Sequence, residues 1–167
     1  HVYLSEEKIP TQHNGSILNN QFGITLKVSL LNKVINLDNI YMYNVSPDNH
    51  NIINTPKHNN YTKLYYSGNW FKNTIPVQKG VNMYFRSEYN GNAYDPSLQS
   101  YYVQNSFILQ QYLRYNLFFN MQVKNFRVFL KMTHFNQFDR FDGYFATPYY
   151  PGQKKVLDLG VKWYFFN

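Results

Sequence analysis

The feature that constrains this chain most is a regular alternation of apolar and polar residues over stretches longer than ordinary soluble strands. Between Tyr112 and Lys124, every second side chain from Leu113 to Val123 is apolar or aromatic, whereas residues between them include Arg114. Because successive side chains of a strand point to opposite faces, this pattern predicts a strand with one apolar and one polar face. Helical spacing would instead scatter the charged residues among the apolar ones.

The same alternation recurs along the chain and predicts an all-β, antiparallel fold. Short turns alternate with long polar stretches, which is the layout of a transmembrane outer-membrane β-barrel. Strands of about 9 to 11 tilted residues are long enough to cross the hydrocarbon layer. The strands are predicted near 22–31, 34–45, 62–71, 77–89, 112–124, 127–136 and 156–166, and the long extracellular loops at 46–61, 90–111 and 137–155.

The number of predicted strands bears on the domain organisation. Bacterial single-chain barrels have an even number of strands, and only seven are predicted here. Residues 6–15 do not alternate and contain Pro10, which favours a loop over a further strand. We therefore expect residues 1–167 to be the C-terminal part of a single β-barrel domain, the last seven or so strands of a larger barrel.

Composition argues against several classes of function. The formal net charge of +7 favours anionic partners, but the basic residues are dispersed, so nucleic acid is not a predicted partner. The chain has no Cys, and its five His lack metal-ligand spacing, so we expect neither a metal site nor a cofactor. His134, near a strand end on the apolar side, is expected at a membrane interface. No nucleophile elbow, zinc-protease motif or phosphate loop is present, and we predict no enzymatic activity.

Most of the charged residues of the predicted strands fall on the polar face. A Lys or Arg facing mid-bilayer lipid costs about 2 to 4 kcal/mol, so this face is predicted to line a wet lumen. It carries eight basic and three acidic residues, which suggests weak anion selectivity; alternatively, the charges pair across strands and select for nothing. The predicted lumen-facing (pore) residues are Lys27, Lys63, Arg86, Glu88, Arg114, Lys131, Asp158 and Lys162, and the predicted lipid-facing residues are Leu117, Phe119, Met121, Leu130, Leu159 and Val161.

The C-terminal residues carry a family resemblance. Tyr149-Tyr150-Pro151 precedes the last predicted strand, and the chain ends with Gly160-Val-Lys-Trp-Tyr-Phe-Phe-Asn167. This ending resembles that of the putative porin family of Bacteroidota, with Asn167 where the family has Asp. The resemblance extends upstream, more weakly, to about Gly80.

The resemblance implies an outer-membrane β-barrel of several hundred residues. It also implies a C-terminal signal, read by the barrel-assembly machinery, in Trp163, Phe165 and Phe166. The expected partners are therefore outer-membrane lipid, that machinery during biogenesis and other envelope proteins in a complex.

Three functions remain open from the sequence. The first is a passive diffusion channel for small solutes, or a scaffold within an envelope complex, located in the cell outer membrane. The second is a soluble all-β ligand-binding module, carbohydrate-binding or lipocalin-like, with the aromatic residues as its core. The third is a barrel enzyme that acts on lipid or peptide.

Overall fold

A computed structural model shows an all-β chain built on one antiparallel sheet, which confirms the predicted fold class. The structure describes residues 2–14, 18–45, 52–137 and 144–165. In this part of the chain each long strand pairs with the next, and the first and last strands are not paired with each other. The seven strands of this sheet are β1 (Asn20–Leu30), β2 (Ile35–Val45), β3 (His58–Trp70), β4 (Ile75–Arg86), β5 (Tyr112–Val123), β6 (Phe126–Thr133) and β7 (Val156–Trp163).

Short turns join the strands at one end of the sheet. Residues 31–34, 71–74 and 124–125 form these turns, as the sequence predicts. The first two turns each hold three consecutive residues at positive φ, beginning with Leu31 at 50° and Phe71 at 53°. The described parts of the predicted long loops, 52–57, 90–111 and 144–155, lie at the opposite end. Residues 46–51 and 138–143 fall outside the described residues.

Several strand ends differ from the predicted positions. β4 ends at Arg86 rather than near residue 89, and β7 ends at Trp163 rather than near 166. β3 begins at His58 rather than near residue 62, because backbone pairing with β2 extends the strand through residues without alternation. β6 ends at Thr133 rather than near 136, because the backbone turns at His134, where φ is 56°, and polar side chains supply part of the pairing beyond it. The Asn116 Oδ1 atom accepts a hydrogen bond from His134 N at 3.1 Å, and Asn136 Nδ2 donates to Leu113 O at 2.8 Å.

The register divides the sheet into two faces, named here the apolar face and the polar face. One row of paired residues crosses all seven strands on the apolar face: Val28, Leu37, Leu64, Val81, Leu117, Met132 and Leu157. Several side chains of this face are exposed, Ile24 at 65% and Leu159 at 73%, whereas others such as Leu117 are half-buried. Exposed apolar side chains in such number are typical of contact with a membrane or a partner.

Polar groups interrupt the apolar face on β2 and β3, where the sequence alternates weakly. The Asn39 Nδ2 atom donates to Asn60 Oδ1 and to Thr62 Oγ1, both at 2.7 Å, and Tyr41 Oη lies 2.7 Å from His58 Nδ1. These groups therefore satisfy one another's hydrogen bonds instead of facing apolar surroundings unpaired.

The most deeply buried side chains lie outside the sheet, in the long connections at one end. Ala93, Leu109, His134 and Pro148 are almost completely buried there. We call this region the cap; it comprises residues 2–12, 89–109, 134–137 and 144–155. It contains four short antiparallel ladders: Val2–Leu4 with Pro10–Gln12, Tyr89–Asn90 with Ile108–Leu109, Ala93–Asp95 with Ser100–Tyr102, and Phe145–Thr147 with Tyr150–Pro151.

The cap segments are held together by polar contacts. Gln104, only 2% exposed, donates to Gly91 O at 2.6 Å and to Phe107 O at 2.9 Å. Thr147 Oγ1 donates to Asn92 O at 2.7 Å and so joins two connections far apart in sequence. Within the described residues, no helix is long and apolar enough to cross a membrane.

Candidate functional site

The register gathers the predicted pore residues on the polar face. Lys27 and Lys63 both pair with Asp38, from opposite sides, and Lys131 pairs with Asp158. Arg86, Arg114 and Lys162 share this face, whereas Glu88 lies beyond the end of β4. The predicted lipid-facing residues lie on the apolar face, Leu117, Phe119 and Met121 half-buried and Leu130, Leu159 and Val161 exposed.

The basic side chains of the polar face outnumber its acidic ones, since only Asp38 and Asp158 lie opposite basic residues in the register. Between described residues, the only ion pair joins Lys8 and Asp95 in the cap, so none of the basic residues on the polar face has one. Several instead lie against aromatic rings. The Lys63 Nζ atom is 4.3 Å from the ring centroid of Tyr65 and 5.1 Å from that of Phe118. Ring faces attract cations without cancelling their charge, so the face keeps its positive excess.

Three concavities follow one another along the polar face from the cap to the short turns. The first, of about 320 Å³, lies under the cap and holds Arg86 and Arg114. The second, of about 330 Å³, holds Lys63 and Lys131 near the middle of the sheet. The third, of about 640 Å³, lies near the short turns and is lined by Lys33 and Arg127. Neighbouring concavities share Tyr61 and Asn120, and we call the series the basic track.

The cap closes over the first concavity through contacts with the sheet. Tyr144 stacks on Tyr112 with ring centroids 3.9 Å apart. The Arg86 Nη2 atom donates a hydrogen bond to Phe145 O at 2.8 Å, which anchors the same segment to β4. The long loops therefore narrow this end of the polar face.

Polar atoms around the first concavity lack partners among the described residues. Arg86 Nε, Arg114 Nε, Tyr112 Oη and His134 Nδ1 are buried and make no hydrogen bond there. Burial, and secondly the Arg114 guanidinium, lowers the pKa of His134, which favours its neutral form. Unsatisfied buried donors are costly, and their concentration in one place marks this as the candidate binding position.

Two residues next to or within this site, His134 and Tyr144, could not be recognised from the sequence. His134 was expected at an interface, and this expectation is wrong because the ring lies fully buried beneath Tyr144, with its Nε2 atom 3.2 Å from the Tyr144 hydroxyl. Tyr144 itself is separated from β5 by more than twenty residues and left no periodic signal. Among the described residues, no three His, Asp or Glu side chains are grouped to hold a metal ion.

At the C-terminal end, the predicted assembly-signal aromatics lie next to one another. Trp163 is paired with Phe126, with ring centroids 4.6 Å apart, and stacks on Phe165 at 4.9 Å. Both Trp163 and Phe165 are exposed, and Phe166 lies outside the described residues.

An ion pair ties the hairpin of residues 2–12 to the rest of the cap. Lys8 Nζ lies 2.5 Å from Asp95 Oδ2, and Asp95 Oδ1 accepts hydrogen bonds from Ser97 N and Oγ at 2.8 and 2.6 Å. The hydrogen bond from Lys8, followed by those from Ser97, holds the pKa of the Asp95 carboxyl well below its usual range. Asp95 in turn raises the pKa of Lys8.

We expect Asp95→Asn to loosen this hairpin, because Lys8 loses its counter-charge. The carboxyl contributes stability above its ordinary pKa of 3.8 and loses it as pH falls towards the lowered folded value. The Lys8 ammonium contributes stability below its ordinary pKa of 10.5 and loses it as pH rises through the raised pKa of the folded state. Hydrogen exchange of residues 2–14 should therefore be faster in the variant than in the wild type between these limits. Asp158→Asn is the matched control, and equal effects of both substitutions would contradict the assignment.

Comparison with known proteins identifies the family of this chain. No curated protein matches this chain, and no solved structure does. The model of a family described as putative porin matches residues 1–167, well beyond the region from Gly80 in which the sequence resemblance is visible. Since this match covers the whole chain, the protein belongs to the putative porin family.

Proposed function

We propose that this protein acts in the outer membrane as a passive diffusion channel for small solutes, with a preference for anions. The observation that carries the proposal is the concentration of charge on the polar face: Lys79 is the only Lys, Arg, Asp or Glu of the described strands that lies on the apolar face. In lipid, backbone polar groups must be paired within the protein, and an antiparallel sheet with an outward apolar face meets that requirement when closed. The polar face then lines water.

The basic track supports the preference for anions. Its three concavities each hold basic side chains, and none of these is ion-paired with another described residue. A row of cations that outnumber the carboxylates along a pore lowers the barrier for anions and raises it for cations. The cap narrows the entrance, which limits passage to small solutes.

Conductance of the full-length protein in a planar lipid bilayer tests this function. We expect discrete channel currents, with a reversal potential in a KCl gradient that shows greater permeability to chloride than to potassium. Folding is checked beforehand by the faster gel migration of the unheated barrel. A folded preparation that carries no current would refute the channel.

Two sets of lysine substitutions distinguish an effect of the basic track on ion selectivity from an effect of the protein's net charge. Lys63→Gln with Lys131→Gln removes charge from the middle concavity and should shift the reversal potential towards potassium permeability. Lys79→Gln removes a lysine from the apolar face, where its Nζ atom lies 5.2 Å from the Trp70 ring, and should leave selectivity unchanged. Equal shifts in both variants would contradict a role for the track.

A scaffold within an envelope complex is the second candidate. The observation that favours it is the polar interruption of the apolar face at Asn39, Asn60 and Thr62, since a partner protein offers such groups better contacts than lipid tails do. Co-purification of a stoichiometric partner, lost on replacing these three residues by Leu, would support this role.

A further inference from the structure

We propose that the concavity under the cap is a binding site for a small organic anion, with a carboxylate held by Arg86 and Arg114 and a flat body against tyrosine rings. This site would bind solutes selectively on their way through the pore, so its physiological role rests on the proposed channel. The physical site itself rests on the geometry described next.

The two arginines are neighbours on adjacent strands. Arg86 pairs with Tyr112 and Arg114 pairs with Tyr84, so the two arginines are diagonal neighbours on the polar face. Such neighbours have Cβ atoms about 7 to 8 Å apart, within reach of one small ligand for long side chains. Two like charges this close, without an acidic partner among the described residues, favour an anion between them.

The unpaired atoms around the concavity define what the ligand must supply. Arg86 Nε and Arg114 Nε donate hydrogen bonds and cannot accept them, and the Tyr112 hydroxyl can also donate. The missing partner must therefore provide several acceptor atoms in a small space. A carboxylate does so, and its planar geometry matches the guanidinium fork.

The arginines are held in place by groups that leave their Nε atoms unpaired. The Arg114 Cζ atom lies 4.3 Å from the ring centroid of Tyr84, and Arg86 Cζ lies 5.4 Å from that of Tyr89. The hydrogen bond from Arg86 Nη2 to Phe145 O fixes its guanidinium further. Side chains that are already ordered lose little entropy when a ligand binds.

Aromatic rings set the size and shape of the rest of the ligand. Tyr61 and Tyr84 lie with ring centroids 4.8 Å apart, and Tyr112 and Tyr144 stack on the other side of the arginines. The volume of about 320 Å³ is at the lower end for ligand sites and suits a molecule with a single ring. Met42 adds an apolar contact.

Binding of benzoate to the detergent-solubilised full-length protein tests this site without requiring any current. Benzamide has nearly the same shape but no charge, and serves as the matched ligand. We expect benzoate to bind at least about tenfold more tightly than benzamide by isothermal titration, since hydrogen bonds to charged groups are worth that much.

Substitutions at the arginines assign the binding to this concavity. Arg114→Gln should weaken benzoate binding by about tenfold or more, since each guanidinium bond to the carboxylate is charge-assisted. Lys79→Gln, which also removes one positive charge but lies on the apolar face outside the basic track, should leave it unchanged. Arg86 also anchors the cap, so folding of its variants is first checked by gel migration. The benzoate affinity of Arg86→Lys, which keeps the charge but loses Nε, is then compared with that of Arg86→Gln.

The outcomes separate the two proposals. Equal affinity for benzoate and benzamide, or equal benzoate affinity in the Arg114→Gln and Lys79→Gln variants, would overturn the anion site even in a protein that conducts. Benzoate binding that depends on Arg114, in a protein that carries no current, would uphold the site and refute the channel.

Discussion

Leu26→Arg is expected to lower the free energy of unfolding of the full-length protein in lipid vesicles by about 2 to 4 kcal/mol. Leu26 lies near the middle of β1 on the apolar face and is 50% exposed. If that face meets acyl chains, an arginine there must give up its hydration or distort the bilayer. The measurement is urea unfolding in vesicles, followed by tryptophan fluorescence.

The adjacent residue provides a control at the same depth. Thr25 is also exposed but lies on the polar face, so Thr25→Arg places the same side chain against water. We expect this variant to change the unfolding free energy by less than about 0.5 kcal/mol, as an ordinary surface substitution does. In a water-soluble module both positions face solvent, and equal small effects would favour that alternative and refute the membrane orientation.

The sheet was predictable because its signal is local. Alternation within one strand reveals which side chains share a face, and β5 runs from Tyr112 to Val123 where 112–124 was predicted. The same reasoning placed Arg86 and Arg114 on the polar face. No knowledge of distant residues was needed for either result.

The cap was not predictable in the same way, because contacts between residues far apart in sequence build it. Arg86 meets the carbonyl of Phe145 across 59 positions, and Thr147 meets that of Asn92 across 55. Such contacts leave no period in the sequence, so the predicted loops appeared as polar stretches. Burial of His134 follows from the same contacts and could not be foreseen from its position at a strand end.

Gly80 permits a close approach of two strands at the centre of the sheet. It lies on the polar face, paired with Tyr65 on one side and Phe118 on the other. A Cβ atom at this position would clash with the backbone carbonyl oxygen of Leu64 and lie 2.8 Å from both Cα and Cβ of Tyr65. Because these are mainly backbone atoms of a hydrogen-bonded neighbour, no rotamer change can relieve the contact.

We therefore expect Gly80→Ala to lower the free energy of unfolding by about 1 to 3 kcal/mol, the usual cost of forcing extra volume into a packed position. The strands must separate locally, which also disturbs the Tyr65 and Phe118 rings that flank Lys63. Urea unfolding in vesicles measures this loss.

Gly23→Ala is the matched control, because Gly23 also lies within a strand on the polar face but has only Tyr41 O nearby, at 3.9 Å. Alanine fits there and restricts the unfolded chain, so this variant should gain about 0.4 to 1 kcal/mol. The opposite signs arise because adding one methyl group restricts the unfolded chain at both positions but meets a neighbouring backbone only at Gly80. Equal effects at the two positions would show that β3 and β4 are not packed as closely as the register requires.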